Sequence, residues 1–597
     1  MRPTVREIAE AHRTGTVKPE DTIAEYMRRI RTSGDPAVFI SVADEVSVLA
    51  QAKEVARKPE LPLCGVPIAV KDNIDALGFP TTAACPAFSY VPEKDASAVA
   101  RLKAAGAIVV GKTNLDQFAT GLVGVRSPYG VPRNPFNPDL IPGGSSSGSA
   151  VAVSSGLVPL ALGTDTAGSG RVPAGLNNIV GLKPSLGLIS TTGVVPACRS
   201  LDCVSIFSLD VDDAWTALIA ASGFDESDAY SRPLAIGNPG ALPQGAVIGI
   251  PRREDRLFFG DKRSESAFEQ SIEIAKSIGA RIVELDFSHL LEAARMLYGG
   301  PWVAERTAAV GEFIEAHPAD IFPVTREIIS TGSTAGAADV FRAFYRMQEL
   351  RAKARKTMSQ ADALMVPTVP SAYTLTQLEA DPIRLNANLG TYTNFVNLMD
   401  LCGLAVPAII SDNATPYGAT FLARAGEDAK LLPLGRAIHA KSGLPLGALN
   451  VRQDQSVPAP SAASDEIEIA VVGAHMSGMA LNHELTSLGA RFLRAVRTAT
   501  DYRLFLLDGT KPARPGLLRI AQGKGAAIET EVWSMSAEAF GTFVSRIPAP
   551  LSIGTVIFED RSKAKCFLVE AEAINGAKDI SASGGWRNFI ENARGAA

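Results

Sequence analysis

The chain runs to 597 residues, too long for one compact core, so roughly two to four folding units are expected. Hydrophobic residues make up 46% and charged residues 20%, which excludes a disordered or fibrous chain. With 58 basic against 63 acidic residues the net charge is −5, and no long Lys/Arg run favours nucleic acid or an anionic membrane as partner.

Residues 4–13, 19–31 and 44–57 read as helices, the second with Pro19 at an early helical position, and together they form an N-terminal helical cap. Arg2, Arg6 and Glu7 interrupt the apolar residues of the first turn, so no export signal is expected. No segment offers the roughly 18 uncharged apolar residues of a membrane span. From Gly65 onward short apolar runs at 66–70, 108–110, 160–163 and 247–250 alternate with helical stretches such as 97–105, the pattern of α/β layering. Helices over 262–278 and 338–358 are each followed by a strand, at 281–285 and 363–366. Residues 444–465 carry Pro445, Pro458 and Pro460 and no periodic apolar face, which predicts an interdomain linker. Beyond it, β-like runs at 466–472, 504–507, 553–558 and 566–569 and a helix over 537–545 predict a small α+β unit. Cys64, Cys85, Cys198, Cys203, Cys402 and Cys566 are scattered and form no CxxC pair, so they are read as reduced, cytoplasmic thiols with neither zinc nor disulfides.

Three short segments carry chemistry. Pro142 to Ser149 reads Pro-Gly-Gly-Ser-Ser-Ser-Gly-Ser before an apolar helical run at 150–153. Its glycines expose backbone N–H groups to an anion, although a flexible turn has the same composition. Gly163 to Ala174 reads Gly-Thr-Asp-Thr-Ala-Gly-Ser-Gly-Arg-Val-Pro-Ala and places Ser169 between two glycines after a strand. There the N–H groups of Thr166, Ala167, Gly168 and Ser169 can face a developing oxyanion. No histidine neighbours either loop, so a lysine is the alternative base. Lys71 ends the run Gly65-Val-Pro-Ile-Ala-Val, where burial lowers its pKa; the competing reading is a structural ion pair with Asp72.

Together these segments resemble the amidase signature family. The Lys71 segment resembles the family's lysine motif, Gly143-Gly-Ser145-Ser its bridging-serine motif and the Ser169 segment its nucleophile motif, over about residues 1–450. The resemblance implies a mixed central sheet covered by helices on both faces, a cis peptide bond at Ser145, and a relay in which Lys71 draws a proton through Ser145 from Ser169, with no metal or cofactor. Two positions depart from the commoner pattern: Ser147 and Ala167 stand where glycines are frequent.

Leu297-Tyr-Gly-Gly-Pro-Trp-Val-Ala-Glu-Arg306 reads as a broken helix that offers Tyr298 and Arg306 to a small carboxylate; a pair between Arg306 and Glu305 is the competing reading. This segment, the nucleophile motif and the extra C-terminal unit are similar to the allophanate hydrolase family. That resemblance implies an amidase domain over 1–445, a linker over 446–465 and a C-terminal domain over 466–597. It implies deamination of allophanate within urea degradation, Tyr298 and Arg306 as substrate-binding residues, a homodimer through the amidase domain and association with urea carboxylase. The opening of the C-terminal unit, Ile469 to Gly478, resembles a γ-glutamylcyclotransferase-like fold and puts His475 forward as a further catalytic residue, assisting decarboxylation of the product, against a purely structural role. The alternatives are another amidase or an A-type amidotransferase chain, with the C-terminal unit as a binding or assembly module.

Overall fold

The computed structural model describes residues 4–453, 459–507, 509 and 511–595. Arg2 of the export-signal reading and residues 454–458 of the linker reading lie outside the described residues. The chain divides into two compact units, one of Met1–Gly237, Ile248–Ile278 and Ile282–Gln455, the other of Asn238–Val247, Gly279–Arg281 and Ser456–Ala597.

The first unit opens with helices Val5–Arg13, Pro19–Thr32 and Glu45–Val55. Thr4 and Asp44, read above as first helical residues, are the caps: the Thr4 hydroxyl accepts from Glu7 N–H at 3.2 Å and the Asp44 carboxylate from Ser47 N–H at 2.9 Å. Asp213 adds a cap from far along the chain, accepting from Val5 N–H at 2.6 Å and Arg6 N–H at 3.0 Å.

Eleven strands form the central sheet: β1 (Phe39–Val42), β2 (Pro67–Lys71), β3 (Ile108–Thr113), β4 (Leu160–Thr164), β5 (Val180–Lys183), β6 (Val204–Ser208), β7 (Val247–Pro251), β8 (Arg281–Leu285), β9 (Ala363–Pro367), β10 (Leu401–Ile410) and β11 (Pro416–Arg424). Their order is β1-β3-β2-β4-β6-β5-β10-β11-β9-β7-β8. Pairing is mixed: β3-β2-β4 is parallel, whereas β4-β6-β5-β10-β11-β9 is antiparallel throughout. Every residue of β2, β3 and β4 is buried, so successive side chains pointing to opposite faces are both covered. These are the strands whose ends carry the candidate site.

The second unit contains a five-stranded sheet and a three-stranded sheet. In the first, β12 (Glu466–Val471) lies between β16 (Glu529–Ser536) and β18 (Lys563–Val569), flanked by β13 (Arg491–Arg497) and β17 (Leu551–Ile557). In the second, β14 (Tyr502–Leu507) lies between β15 (Arg514–Arg519) and β19 (Lys578–Asp579). With the helix Ala537–Val544 this is an α+β unit with its own apolar core around Trp533, Phe543 and Phe567. No helix among the described residues is long and apolar enough to cross a membrane.

Candidate active site

Parallel pairing of β2 with β4 sets Val70 opposite Leu162, so the two strand ends deliver Lys71 and Thr164 to one place. Lys71 Nζ donates to Thr164 Oγ1 at 2.7 Å and to Ser145 Oγ at 2.8 Å, and the side chain is fully buried. Burial strips the ammonium of water and pushes its pKa down from 10.5 to about 7, while the carboxylates of Asp116, Asp165 and Asp202 pull weakly the other way. The competing pair with Asp72 is not formed: that carboxylate faces Lys112 Nζ at 3.4 Å and accepts from Thr82 N–H at 2.9 Å.

Ser145 follows a cis peptide bond from Gly144. Asp116 pins this loop, its N–H donating to Ser145 O at 3.0 Å and its carboxylate accepting from the N–H groups of Gly124 and Arg126, both at 2.9 Å. A Cβ at Gly144 would collide with that carboxylate, so the position demands glycine. The helix expected from residue 150 begins earlier, as Ser147–Ser154. Small polar residues are tolerated there because first-turn N–H groups have no intrahelical partner. Ser147 Oγ has no hydrogen-bond partner among the described residues.

Ser169 is 3% exposed in the turn between β4 and the helix Val172–Leu176. Arg171 and Asp165, both fully buried, close the turn with hydrogen bonds of 2.8 Å and 2.9 Å, and Gly170 N–H donates to the same carboxylate at 3.1 Å. Thr166 Oγ1 donates to Asp202, whose carboxylate also accepts from Ala197 N–H at 2.8 Å. Gly168 has φ +156°, and a Cβ there would collide with Thr393. Among the described residues the N–H groups of Thr166, Ala167, Gly168 and Ser169 make no hydrogen bond, which leaves four donors in the turn unengaged. Ser169 Oγ makes none either: Lys71 and Ser145 form a bonded pair, and Ser169 stands apart from it.

Tyr298 ends the helix Ser288–Gly299 and Arg306 lies in the first turn of Val303–Ala316, with Gly300 and Pro301 making the expected break. Arg306 is 2% exposed. Its Nη1 donates to Thr120 Oγ1 at 2.9 Å and Ala119 O at 3.3 Å, and its Nη2 to Tyr298 Oη at 3.3 Å. The competing pair with Glu305 is absent, since that carboxylate accepts from Ser200 N–H at 2.9 Å. Among the described residues Arg306 forms no ion pair. Ala167 of the nucleophile turn shares one apolar cluster with Leu122, Leu297 and Trp302, against which Tyr298 packs.

His475 belongs to the second unit. Its Nε2 meets Glu484 Oε2 at 2.9 Å, and its ring stacks on Phe567 at 5.2 Å and meets the edge of Phe543. Burial holds its pKa below the ordinary value against the pull of Glu484. His483 is exposed.

Thr164, Asp116, Thr120 and Asp202 had no assigned role in the sequence. Thr164 and Asp165 were findable as polar residues that end an apolar strand directly before the turn. Thr120 carries no local signal, because it meets Arg306 across 186 positions.

The model of the amidase family matches residues 21–432 of the chain. The chain belongs to the amidase family. As a member it is an amidohydrolase, and residues 467–591 match the allophanate hydrolase C-terminal domain, so an amidase domain is followed by a second recognised domain. Urea amidolyase of Lachancea kluyveri is 42% identical over 590 residues, covering 96% of this chain and 32% of that protein. The chain therefore spans about a third of the length of the first curated relatives it matches. The A-type chain of the Thermus thermophilus glutamyl-tRNA(Gln) amidotransferase is 32% identical over 70% of this chain and 93% of that protein. Among solved structures, Kluyveromyces lactis allophanate hydrolase superposes with a TM-score of 0.80 at 39% identity and covers 99% of both chains.

Proposed function

We propose that this amidase hydrolyses allophanate, releasing ammonia and N-carboxycarbamate as a step of urea degradation. The observation that carries the reading is Arg306: a guanidinium 2% exposed, with no ion pair among the described residues and with Tyr298 on one arm. A buried unpaired cation is costly, and a substrate carboxylate would compensate it with charge-assisted hydrogen bonds. Allophanate carries a carboxylate at one end and an amide at the other. The match to the allophanate hydrolase C-terminal domain and the full-length likeness to the Kluyveromyces lactis allophanate hydrolase support the same substrate.

In this reading Ser169 Oγ attacks the amide carbonyl while its proton passes to Ser145, and Ser145 passes its own to neutral Lys71. Lys71, depressed to about 7, has the proton affinity for this task at neutral pH. The unengaged N–H groups of Thr166, Ala167, Gly168 and Ser169 receive the oxyanion. The carbon–nitrogen bond breaks, the relay returns the proton to the departing ammonia, and water regenerates Ser169 by the same route. The chain's own groups carry every one of these steps.

The amidase domain over 1–445 would carry this chemistry, and the C-terminal domain over 466–597 would assist loss of carbon dioxide. His475, held by Glu484, would manage a proton there. The same contact with Glu484 favours a second reading, in which His475 is structural and the C-terminal domain binds or assembles with urea carboxylase. A homodimer through the amidase domain and a reducing, cytoplasmic location, to which six buried free cysteines are suited, belong to the same proposal.

The test is ammonia release by the purified chain from allophanate, malonamate, acetamide and glutamine, repeated with Ser169→Ala, Arg306→Ala and His475→Ala. Preference for allophanate, silence of Ser169→Ala and selective loss of allophanate turnover in Arg306→Ala are expected. Preference for glutamine with Arg306→Ala neutral would overturn the substrate and favour an amidotransferase-type amidase.

A further inference from the structure

A polar cavity of about 190 Å³ in the first unit reaches Asp202, the carboxylate that holds Thr166 of the nucleophile turn. It has room for several water molecules or one small ion. Its wall carries three carboxylates and three guanidinium groups, and the carboxylates are committed inside the protein. Asp228 accepts from Thr191 N–H at 2.7 Å and Tyr230 N–H at 2.9 Å, Asp400 pairs with Arg232 at 2.8 Å, and Asp202 accepts from Thr166, Ala197 and Cys198.

Two cations remain. Arg351 donates from Nε to Leu398 O at 2.8 Å, and the Arg199 guanidinium lies 5.7 Å from the ring centroid of Tyr230. Neither forms an ion pair among the described residues, and both line the cavity. Two unpaired guanidinium groups on one concave wall make a site for an anion with several acceptor oxygens, since each fork can be met by two of them.

We propose that this cavity binds a small oxyanion of phosphate or bicarbonate size between Arg199 and Arg351, and that its occupancy is felt at the amidase site. Two contacts carry the coupling. Asp202, on the cavity wall, holds the nucleophile turn through Thr166. Ser200, on the same wall, donates its N–H to Glu305, the neighbour of Arg306, at 2.9 Å. An anion that draws Arg199 inward moves the segment bearing both.

Calorimetric titration of the full chain with sodium phosphate and, separately, sodium bicarbonate at fixed ionic strength tests this. One saturable site is expected, weakened at least tenfold in Arg199→Gln and in Arg351→Gln and unchanged in Arg306→Gln. The binding arm needs no amide substrate, so its outcome is independent of the substrate proposed above. Stronger phosphate binding would identify an external effector, and stronger bicarbonate binding an ion related to the carbon dioxide released. Absence of saturation with both anions, or unchanged binding in Arg199→Gln, overturns the site. In activity assays the anion should shift KM or kcat of the wild type and leave Arg199→Gln unmoved; binding without any kinetic shift overturns the coupling.

Discussion

In the proposed relay Lys71 accepts a proton only while neutral, and its burial sets the pH at which that happens. With its pKa lowered to about 7, the side chain is protonated below that value and cannot accept a proton from Ser145. The kcat/KM for ammonia release should therefore rise as pH increases through about 7 and level off above it; a profile flat from pH 5 to 8 would remove Lys71 as the base. Thr164→Val leaves the Lys71 nitrogen one partner short in a fully buried place. An unsatisfied buried donor costs about 1–3 kcal/mol of stability, so the denaturation midpoint should fall accordingly with the overall fold intact by circular dichroism. Lys71 and Ser169 stood out by their local setting, one at the end of an apolar strand and the other between two glycines, whereas Ser145 was named only through the family resemblance. Thr164 gains its meaning only when β2 and β4 lie side by side, and a hydroxyl at a strand end looks like any other until then.

Among elements, the turn that presents Ser169 is held by one buried ion pair. Arg171→Ala would strand Asp165 as an uncompensated buried charge, which costs about 3–5 kcal/mol, and chemical denaturation should show it as a lower midpoint. The first helix depends on side chains at its start, and Thr4→Ala should cost about 1 kcal/mol in the same experiment. Most predicted helices and strands appear within a residue or two of their expected bounds, since apolar period and cap chemistry are local properties. The hairpin of β10 and β11, at the centre of the sheet's antiparallel half, escaped the sequence reading. Gly403, Pro407, Pro416 and Gly418 interrupt it and imitate loop composition, yet tertiary pairing overrides them.

For the molecule as a whole, every side chain at the Lys71–Ser145–Ser169 site, and both arms of the Arg306 contact, come from the first unit. A chain ended after Arg452 should keep its ammonia release, and full silence of a folded truncated chain would show that the second unit completes the amidase chemistry. The sequence reading set a linker at 446–465 on its prolines and its lack of a periodic apolar face. The recruitment of Asn238–Val247 into the second unit was not legible, because Ala241 N–H bonds Phe492 O across some 250 residues and leaves no local trace. All six cysteines are free and buried, and burial pushes the thiols of Cys198, Cys203 and Cys566 up to about 12. The thiolate is the form that reacts with alkylating dyes, so the native protein should stay dark under maleimide labelling at neutral pH. A single cysteine placed on the surface would then carry the only fluorophore, with no native thiol to remove first.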